Sequence, residues 1–180
     1  EVIVACSEKE VLECIMSLGG KAILTDPNLP SGTDRIFEAI KNKDNISEFD
    51  SIINLQGDMP IIDPFDIVKV NTPLLQGFDM GTLATELKDY QKNDSNVTKV
   101  RIDWIKKNTI GKAFDFFKSS KVTYDEVYHH VGIYSFRYET LKKFITSTPS
   151  INELNHKLEQ WRALDARMTN GVSYVKDVPI

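Results

Sequence analysis

Two loops in this chain of 180 residues combine residue types that could hold a phosphorylated ligand. The first is Ser31-Gly32-Thr33-Asp34-Arg35, at the start of a predicted helix. Its small residues allow close approach of the backbone, the helix N-terminus favours an anion, and Arg35 adds a charge-assisted donor. A plainer explanation is that Ser31 or Thr33 only caps the helix and that Arg35 is a solvated charge. The pattern by itself favours the plainer explanation.

The second loop, Gln56-Gly57-Asp58-Met59-Pro60, comes directly after a predicted buried strand. An aspartate there could hold Mg²⁺ against the phosphates of a nucleotide, because Mg²⁺ prefers one or two carboxylates together with phosphate oxygens and water. Aspartate after glycine is also common in turns that bind nothing. The loop alone does not decide between a metal ligand and a turn residue.

Further polar residues lie on a strand and a helix in the second half. His130, Gly132 and Tyr134 share one face of a predicted strand by its two-residue period, and a glycine between two polar rings leaves a gap that suits a hydroxylated ligand. The alternative is a half-buried strand in which the polar atoms of these side chains are simply hydrated. The neighbouring His129 should point to the opposite face and receives no role. Residues 155–168 form a predicted helix with Leu158, Trp161 and Leu164 at helical spacing. We expect Leu158 and Trp161 to pack inward, whereas polar residues on such a helix are usually solvated.

A framework of strands and helices must bring these residues together. Apolar runs predict strands at 2–6, 21–25, 51–55, 80–87, 97–103, 113–117, 129–137 and 172–178. Helices alternate with them in the first half, which predicts an α/β fold with an open, mostly parallel twisted sheet and helices on both faces. We interpret residues 1–180 as a single domain with a small inserted lobe near 105–150. In such a sheet, ligands bind beyond the carboxyl ends of the strands.

The composition limits the partners and the compartment. The net charge is −4 and the charges are interleaved, which argues against a nucleic acid polymer as partner, because its phosphates need a concentrated basic face. No apolar run reaches the roughly 20 residues of a membrane helix, and the start is not signal-like. Cys6 and Cys14 form no CxxC pair, so we expect reduced thiols and a cytoplasmic protein. The absence of a Walker loop and of GxGxxG weakens ATPase and dinucleotide-binding interpretations.

Taken in order, short segments over nearly the whole chain resemble the CMP-Kdo synthetase family of sugar-acid cytidylyltransferases. Each segment is weak evidence, and the ordered set carries the resemblance. The segments are GG at 19–20, SGTDR at 31–35, NLQGDMP at 54–60, GTLA at 81–84, NVTKV at 96–100, HVGIY at 130–134, TPS at 148–150 and LEQWR at 158–162.

The resemblance implies a nucleotidyltransferase-like, Rossmann-like fold and transfer of CMP from CTP to 3-deoxy-manno-octulosonate (Kdo), giving CMP-Kdo and pyrophosphate for lipopolysaccharide biosynthesis. On the nucleotide side it implies that Ser31, Gly32, Thr33 and Arg35, together with Gln56, bind CTP. It further implies a catalytic Mg²⁺, for which Asp58 would be a ligand.

On the sugar side the resemblance implies that His130, Tyr134, Glu159 and Gln160 line the Kdo pocket. A basic residue of the family's Kdo site would fall near Lys118, in a loose part of the match.

The resemblance also implies a homodimer that uses the 105–150 lobe. The lobe also contains more apolar side chains than a small lobe needs for its own core, namely Ile133, Phe136 and Phe144.

The chain also departs from the family pattern. The family's basic loop of the form RxxSxRLPGK and its terminal GVDTPEDL segment, whose aspartate is a second metal ligand, have no counterpart here. We therefore expect that about 50 N-terminal residues and a short C-terminal helix are missing from this sequence. The segment 119–126 is shorter than the pattern predicts.

Two alternatives stay open from the sequence. One is a CMP-sialic acid synthetase or another sugar nucleotidyltransferase of the same fold, which a comparison of the two sugar acids would separate. The other is a non-catalytic nucleotide-binding α/β module, supported only by the missing basic loop.

Overall fold

The structure, a computed structural model, describes residues 1–44, 46–118 and 126–176. The chain divides into two compact units, Glu1–Phe49 and Asp50–Ile180. Of the segment 119–126, only Glu126 is among the described residues.

The first unit is a short parallel β–α–β–α arrangement. Its elements are β1 (Val4–Cys6), α1 (Lys9–Ser17), β2 (Ala22–Leu24), α2 (Gly32–Ile40) and a 3₁₀ turn (Ile46–Glu48). β1 and β2 pair in parallel. Gly19, with a φ of 78°, makes the left-handed turn that ends α1 and returns the chain to β2.

The second unit is built on a six-stranded sheet with the strand order β3-β7-β4-β8-β6-β5. Its elements are β3 (Ile52–Asn54), α3 (Pro64–Lys69), α4 (Thr72–Leu75), β4 (Met80–Glu86), α5 (Asp89–Lys92), β5 (Lys99–Lys106), β6 (Ile110–Phe117), β7 (Tyr128–Phe136), α6 (Tyr138–Thr146), α7 (Ile151–His156), α8 (Gln160–Asp165) and β8 (Asn170–Tyr174). The range 105–150, predicted as an inserted lobe, contributes β6 and β7 to this same sheet.

The α/β class is confirmed, and the prediction of an open, mostly parallel sheet is corrected to a mixed one. Among the described strands of the second unit, only β4 and β8 pair in parallel. One reason is the connection between β5 and β6, residues 107–109, because so short a link can join only antiparallel strands. β5 pairs with β7 as well as with β6. Five strands therefore form a closed ring, in the order β7, β4, β8, β6 and β5.

Helices cover both faces of this sheet. On one face, Ile67 of α3 packs against a buried cluster that includes Leu83 and Ile133. On the other face, Trp161 and Leu164 of α8 pack against a cluster around Phe116. The prediction that Trp161 points inward is therefore confirmed. Among the described residues, no helix combines the length and the apolar composition required to cross a membrane.

The single helix predicted over 155–168 is wrong, because the chain forms two short helices there. Ser150 begins α7 with a capping box, in which its hydroxyl accepts the Glu153 amide at 3.0 Å and the Glu153 carboxylate accepts the Ser150 amide at 3.3 Å. Lys157 then adopts a left-handed φ of 53°, which ends α7 and places Leu158 in the core before α8 begins. Of the apolar residues at helical spacing, Trp161 and Leu164 lie on α8, whereas Leu158 precedes it.

Candidate active site

One edge of β7 is only partly paired, and the gap opens a site. β4 follows one edge of β7 along its whole length, so β3 and β5 share the other edge. β3 pairs with residues 134–136 and β5 with residues 128–129, and the His130 amide donates to the Thr98 carbonyl at 2.9 Å. On that edge, residues 131–133 have no strand partner in the described part of the chain. The gap lies beyond the carboxyl end of β3, where the sequence predicts ligand binding.

A cavity of about 610 Å³ opens at this gap. Its volume lies within the range of roughly 300–1,000 Å³ that is typical of small-molecule sites. Seven of the predicted site residues line it: Gln56, Asp58, Lys118, His130, Tyr134, Glu159 and Gln160. The fold thus brings together side chains from four separate stretches of the sequence.

The back wall of the cavity is the face of β7 that carries His130, Gly132 and Tyr134. The two ring centroids lie 5.7 Å apart, and a Cβ on Gly132 would meet nothing within 4 Å. The predicted shared face and the gap above the glycine are therefore confirmed. The residue type matters at this position because any side chain on residue 132 would extend into the cavity.

Both ring nitrogens of His130 are hydrogen-bonded to the protein. Nε2 lies 3.0 Å from Thr82 Oγ1, and Nδ1 lies 3.3 Å from Gln160 Nε2. Burial, and to a lesser extent the neighbouring His129, lowers the pKa of His130 to about 3, so the ring is neutral near pH 7. His130 therefore forms an uncharged wall whose polar atoms are already occupied, rather than a free acid or base.

Tyr134 offers a protonated hydroxyl beside this wall. Burial and the charge of Glu159 raise the pKa of the Tyr134 phenol well above its ordinary value, which keeps the proton on the oxygen. The Tyr134 hydroxyl makes no hydrogen bond to any residue that the structure describes. Tyr134 can therefore donate to a ligand oxygen.

Asp58 lies in an exposed turn directly after β3. The Met59 amide donates to the Gln56 carbonyl at 3.3 Å, and the Gln56 side chain donates to Asn54 Oδ1 at 3.4 Å. These contacts hold the turn while the Asp58 carboxylate is solvent-exposed at the cavity rim. Its hard oxygen atoms fit Mg²⁺, and a magnesium site completed by phosphate oxygens and water does not need a cluster of protein carboxylates. No group of three or more His, Cys, Asp and Glu side chains suited to a metal occurs among the described residues.

Lysines supply positive charge at and near the cavity. Lys118 follows β6 and Lys157 occupies the turn after α7; both are exposed and both line the cavity. Lys99, the first residue of β5, is completely buried, and its Nζ donates to the carbonyl of Asp94. Burial lowers the pKa of Lys99. The two exposed lysines can pair with phosphate or carboxylate groups of a ligand.

The loop SGTDR lies in the first unit, at the start of α2. The Ser31 hydroxyl accepts the Asp34 amide at 3.2 Å and donates to the Asp34 carboxylate at 2.5 Å, so it acts as the helix cap. Arg35 donates to Thr25 Oγ1 at 2.6 Å and to the Asp26 carbonyl at 3.1 Å. Within its unit the loop is therefore ordered by its own contacts.

Five polar residues that line the cavity were not predicted: Asp94, Asn96, Thr98, His129 and Lys157. The first three precede β5: Asp94 lies just before the NVTKV segment and Asn96 and Thr98 lie within it, and no residue type there pointed to a site. His129, to which the sequence analysis gave no role, lies 3.3 Å from Gln91 Nε2 through its Nδ1 and also lines the cavity. Lys157 had no signal, because its position depends on the left-handed turn.

The chain is similar to known cytidylyltransferases along nearly its whole length. A family model described as Cytidylyltransferase matches residues 1–170. The chain is 37% identical to the 3-deoxy-manno-octulosonate cytidylyltransferase of Paramagnetospirillum magneticum, with 99% of this chain and 74% of the relative covered. It is 38% identical to the enzyme of the same name from Rhodospirillum centenum, covering 99% of this chain and 71% of the relative.

Solved structures agree with the sequence comparisons. A CMP:2-keto-3-deoxy-manno-octonic acid synthetase complexed with CTP matches with a TM-score of 0.84 and 28% identity, covering 99% of this chain and 73% of that one. A UDP-glucose pyrophosphorylase complexed with UDP-glucose matches with a TM-score of 0.58 and 10% identity, covering 97% and 66%, which supports the fold alone. Since the family model spans residues 1–170 and both relatives exceed 30% identity, this chain belongs to the cytidylyltransferase family.

Proposed function

We propose that this protein transfers CMP from CTP to Kdo and releases pyrophosphate. The observation that carries the proposal is the cavity at the carboxyl end of β3, which is lined by Asp58, by the exposed Lys118 and Lys157 and by the residues predicted for the sugar acid. Membership of the cytidylyltransferase family supports the same reaction.

In the proposed reaction, the anomeric hydroxyl oxygen of Kdo attacks the α-phosphorus of CTP. A new oxygen–phosphorus bond forms as the bond to the pyrophosphate oxygen breaks, and the hydroxyl proton passes to solvent water. The protein mainly positions the reactants and neutralises charge. Lys118 and Lys157 would donate to the anionic groups, and Tyr134 would donate to a sugar oxygen.

We propose Mg²⁺ as the cofactor and Asp58 as its protein ligand. When bound, the ion would neutralise phosphate charge and favour attack at the α-phosphorus. We also retain Ser31, Gly32, Thr33 and Arg35 as the proposed nucleotide loop, because α2 begins there and Arg35 is the cation beside it.

We further propose a homodimer and a cytoplasmic location. Ile133, Phe136 and Phe144, which suggested an interface from the sequence, lie in the core and cannot supply it. Among the residues of 105–150 that the structure describes, the large apolar side chains that are exposed are instead Ile105 and Phe114, at 71% and 45% exposure. Both cysteines, Cys6 and Cys14, are unpaired, which suits a reducing compartment.

The test is pyrophosphate release by the full-length protein. We expect release from CTP only when Kdo and Mg²⁺ are both present. Equal turnover with sialic acid, or no turnover with Kdo, would contradict the assignment.

A further inference from the structure

Thr82 fills a break in the ladder between β4 and β7. Thr82 is in register with Tyr134, but the next residue, Leu83, is in register with Val131, so β7 has two more residues than β4 at this point. The Thr82 hydroxyl lies 2.8 Å from the Ile133 carbonyl oxygen and 3.2 Å from that of Val131. Thr82 is 1% exposed, so these contacts are shielded from water.

The single proton of that hydroxyl determines where the proton of His130 lies. A hydroxyl has one proton to donate, and the carbonyl oxygens of Val131 and Ile133 can only accept. The Thr82 oxygen must therefore accept from His130 Nε2, which requires the proton to be on Nε2. His130 Nδ1 is left with a lone pair.

That lone pair in turn orients the amide of Gln160. Only the nitrogen of the amide can donate to Nδ1 of His130, at 3.3 Å. The Oε1 atom of Gln160 accepts no hydrogen bond from the part of the chain that the structure describes, although the side chain is 3% exposed and lines the cavity. A hydroxyl group of a ligand is the donor that this oxygen fits.

We propose that Thr82 is a positioning residue for the sugar-acid side of the cavity: it fixes the tautomer of His130 and, through it, presents Gln160 Oε1 to a substrate hydroxyl. The identity of the substrate in this inference rests on the proposed function. The chain of hydrogen bonds through Thr82, His130 and Gln160 does not depend on that function. The pKa of about 3 for His130 agrees, because a ring that stays neutral can hold one tautomer over a wide pH range.

The chain offers two matched comparisons. Thr82→Val removes the hydroxyl at nearly constant shape, whereas Thr82→Ser keeps it. Thr85→Val is the control, since Thr85 is on the same strand and also buried, but its hydroxyl donates to the Lys176 carbonyl at 3.0 Å and not to the cavity wall.

The first readout is the ¹⁵N spectrum of the His130 ring in the free protein, assigned with His129→Gln and His156→Gln. We expect protonated Nε2 and unprotonated Nδ1 in the wild type, in Thr82→Ser and in Thr85→Val, and loss of that single tautomer in Thr82→Val. A wild type protonated on Nδ1, or an unchanged spectrum in Thr82→Val, overturns the proposal. This readout needs no substrate, so it stands apart from the proposed function.

The second readout is steady-state kinetics. We expect Thr82→Val to raise KM for Kdo about tenfold, as for loss of one well-placed hydrogen bond, with KM for CTP unchanged. Thr82→Ser and Thr85→Val should keep the wild-type KM for Kdo. An equal loss in Thr85→Val, at a melting temperature as high as that of the wild type, would mean that any buried threonine matters and would overturn the positioning role.

Discussion

Arg162 binds both carboxylate oxygens of Glu153 in the protein interior. Arg162 Nε lies 2.9 Å from Oε2 and Nη2 lies 2.6 Å from Oε1, and Arg162 is only 2% exposed. Its guanidinium also lies over the ring of Phe144 at 4.7 Å. Because Glu153 is on α7 and Arg162 on α8, this pair fixes the turn that carries Glu159 and Gln160 to the cavity.

Breaking the pair should destabilise the fold. Glu153→Gln removes the negative charge that faces the buried Arg162 guanidinium, and we expect a loss of about 3–5 kcal/mol in the free energy of unfolding. Chemical denaturation measures it. Glu126→Gln is the control, because the Lys107–Glu126 pair is exposed and its loss should not be measurable. Equal effects of the two substitutions would contradict a structural role for the buried pair.

Asp58→Asn should reduce turnover with little effect on stability. If Asp58 binds Mg²⁺, the substitution keeps the shape and removes the charge that holds the ion, for a loss on the order of a hundredfold. Pyrophosphate release measures it, and added Mg²⁺ should restore part of the rate. Asp63→Asn, which can still cap α3 through its side-chain oxygen, should behave as the wild type. Near-normal turnover of Asp58→Asn at limiting Mg²⁺ would remove the metal role.

Stability should fall as the pH is lowered from about 6.5 towards 3. In the unfolded chain His130 takes up a proton near the ordinary histidine pKa of 6.5, whereas in the folded protein it does so only near its lowered pKa of about 3. The unfolded state therefore binds more protons in this window, and His130 contributes up to about 4 kcal/mol of pH-dependent destabilisation. The lowered pKa of His129 acts in the same direction.

The measurement is the free energy of unfolding against pH for the wild type and for His130→Gln. We expect the free energy of unfolding to change less with pH in His130→Gln than in the wild type. The control His156→Gln should keep the wild-type pH dependence, because His156 is exposed. A His130→Gln profile as steep as that of the wild type would disprove the contribution of His130.

The proposed dimer can be tested at one exposed side chain. Ile105→Glu puts a charge where the 105–150 region is apolar and exposed, and we expect it to shift the protein from dimer to monomer. Light scattering at micromolar concentration measures the mass. Leu75→Glu is the control, since Leu75 is more exposed, at 82%, but lies outside that region. A monomeric wild type would contradict the dimer itself.

The sequence alone predicted those features, such as helix caps and strand faces, that depend only on residues close together in the chain. Ser31 caps α2 because a cap needs only a short polar side chain and a backbone amide two or three residues later. His130, Gly132 and Tyr134 share a face because alternation along a strand is a local property. The ordered motifs identified the family, and with it seven residues that line one cavity.

Only the tertiary structure decided how those segments pair. The antiparallel course of β7, and the gap that β3 and β5 leave along its edge, depend on pairings between residues some 30 to 80 positions apart, which no local pattern encodes. The left-handed turn at Lys157 lies between Glu153 and Arg162, whose buried contact joins α7 to α8. The hydrogen bond at His130 Nε2 is formed with Thr82, which is 48 residues away in the sequence. Such a bond depends on proximity in the folded protein, so no sequence spacing could predict it.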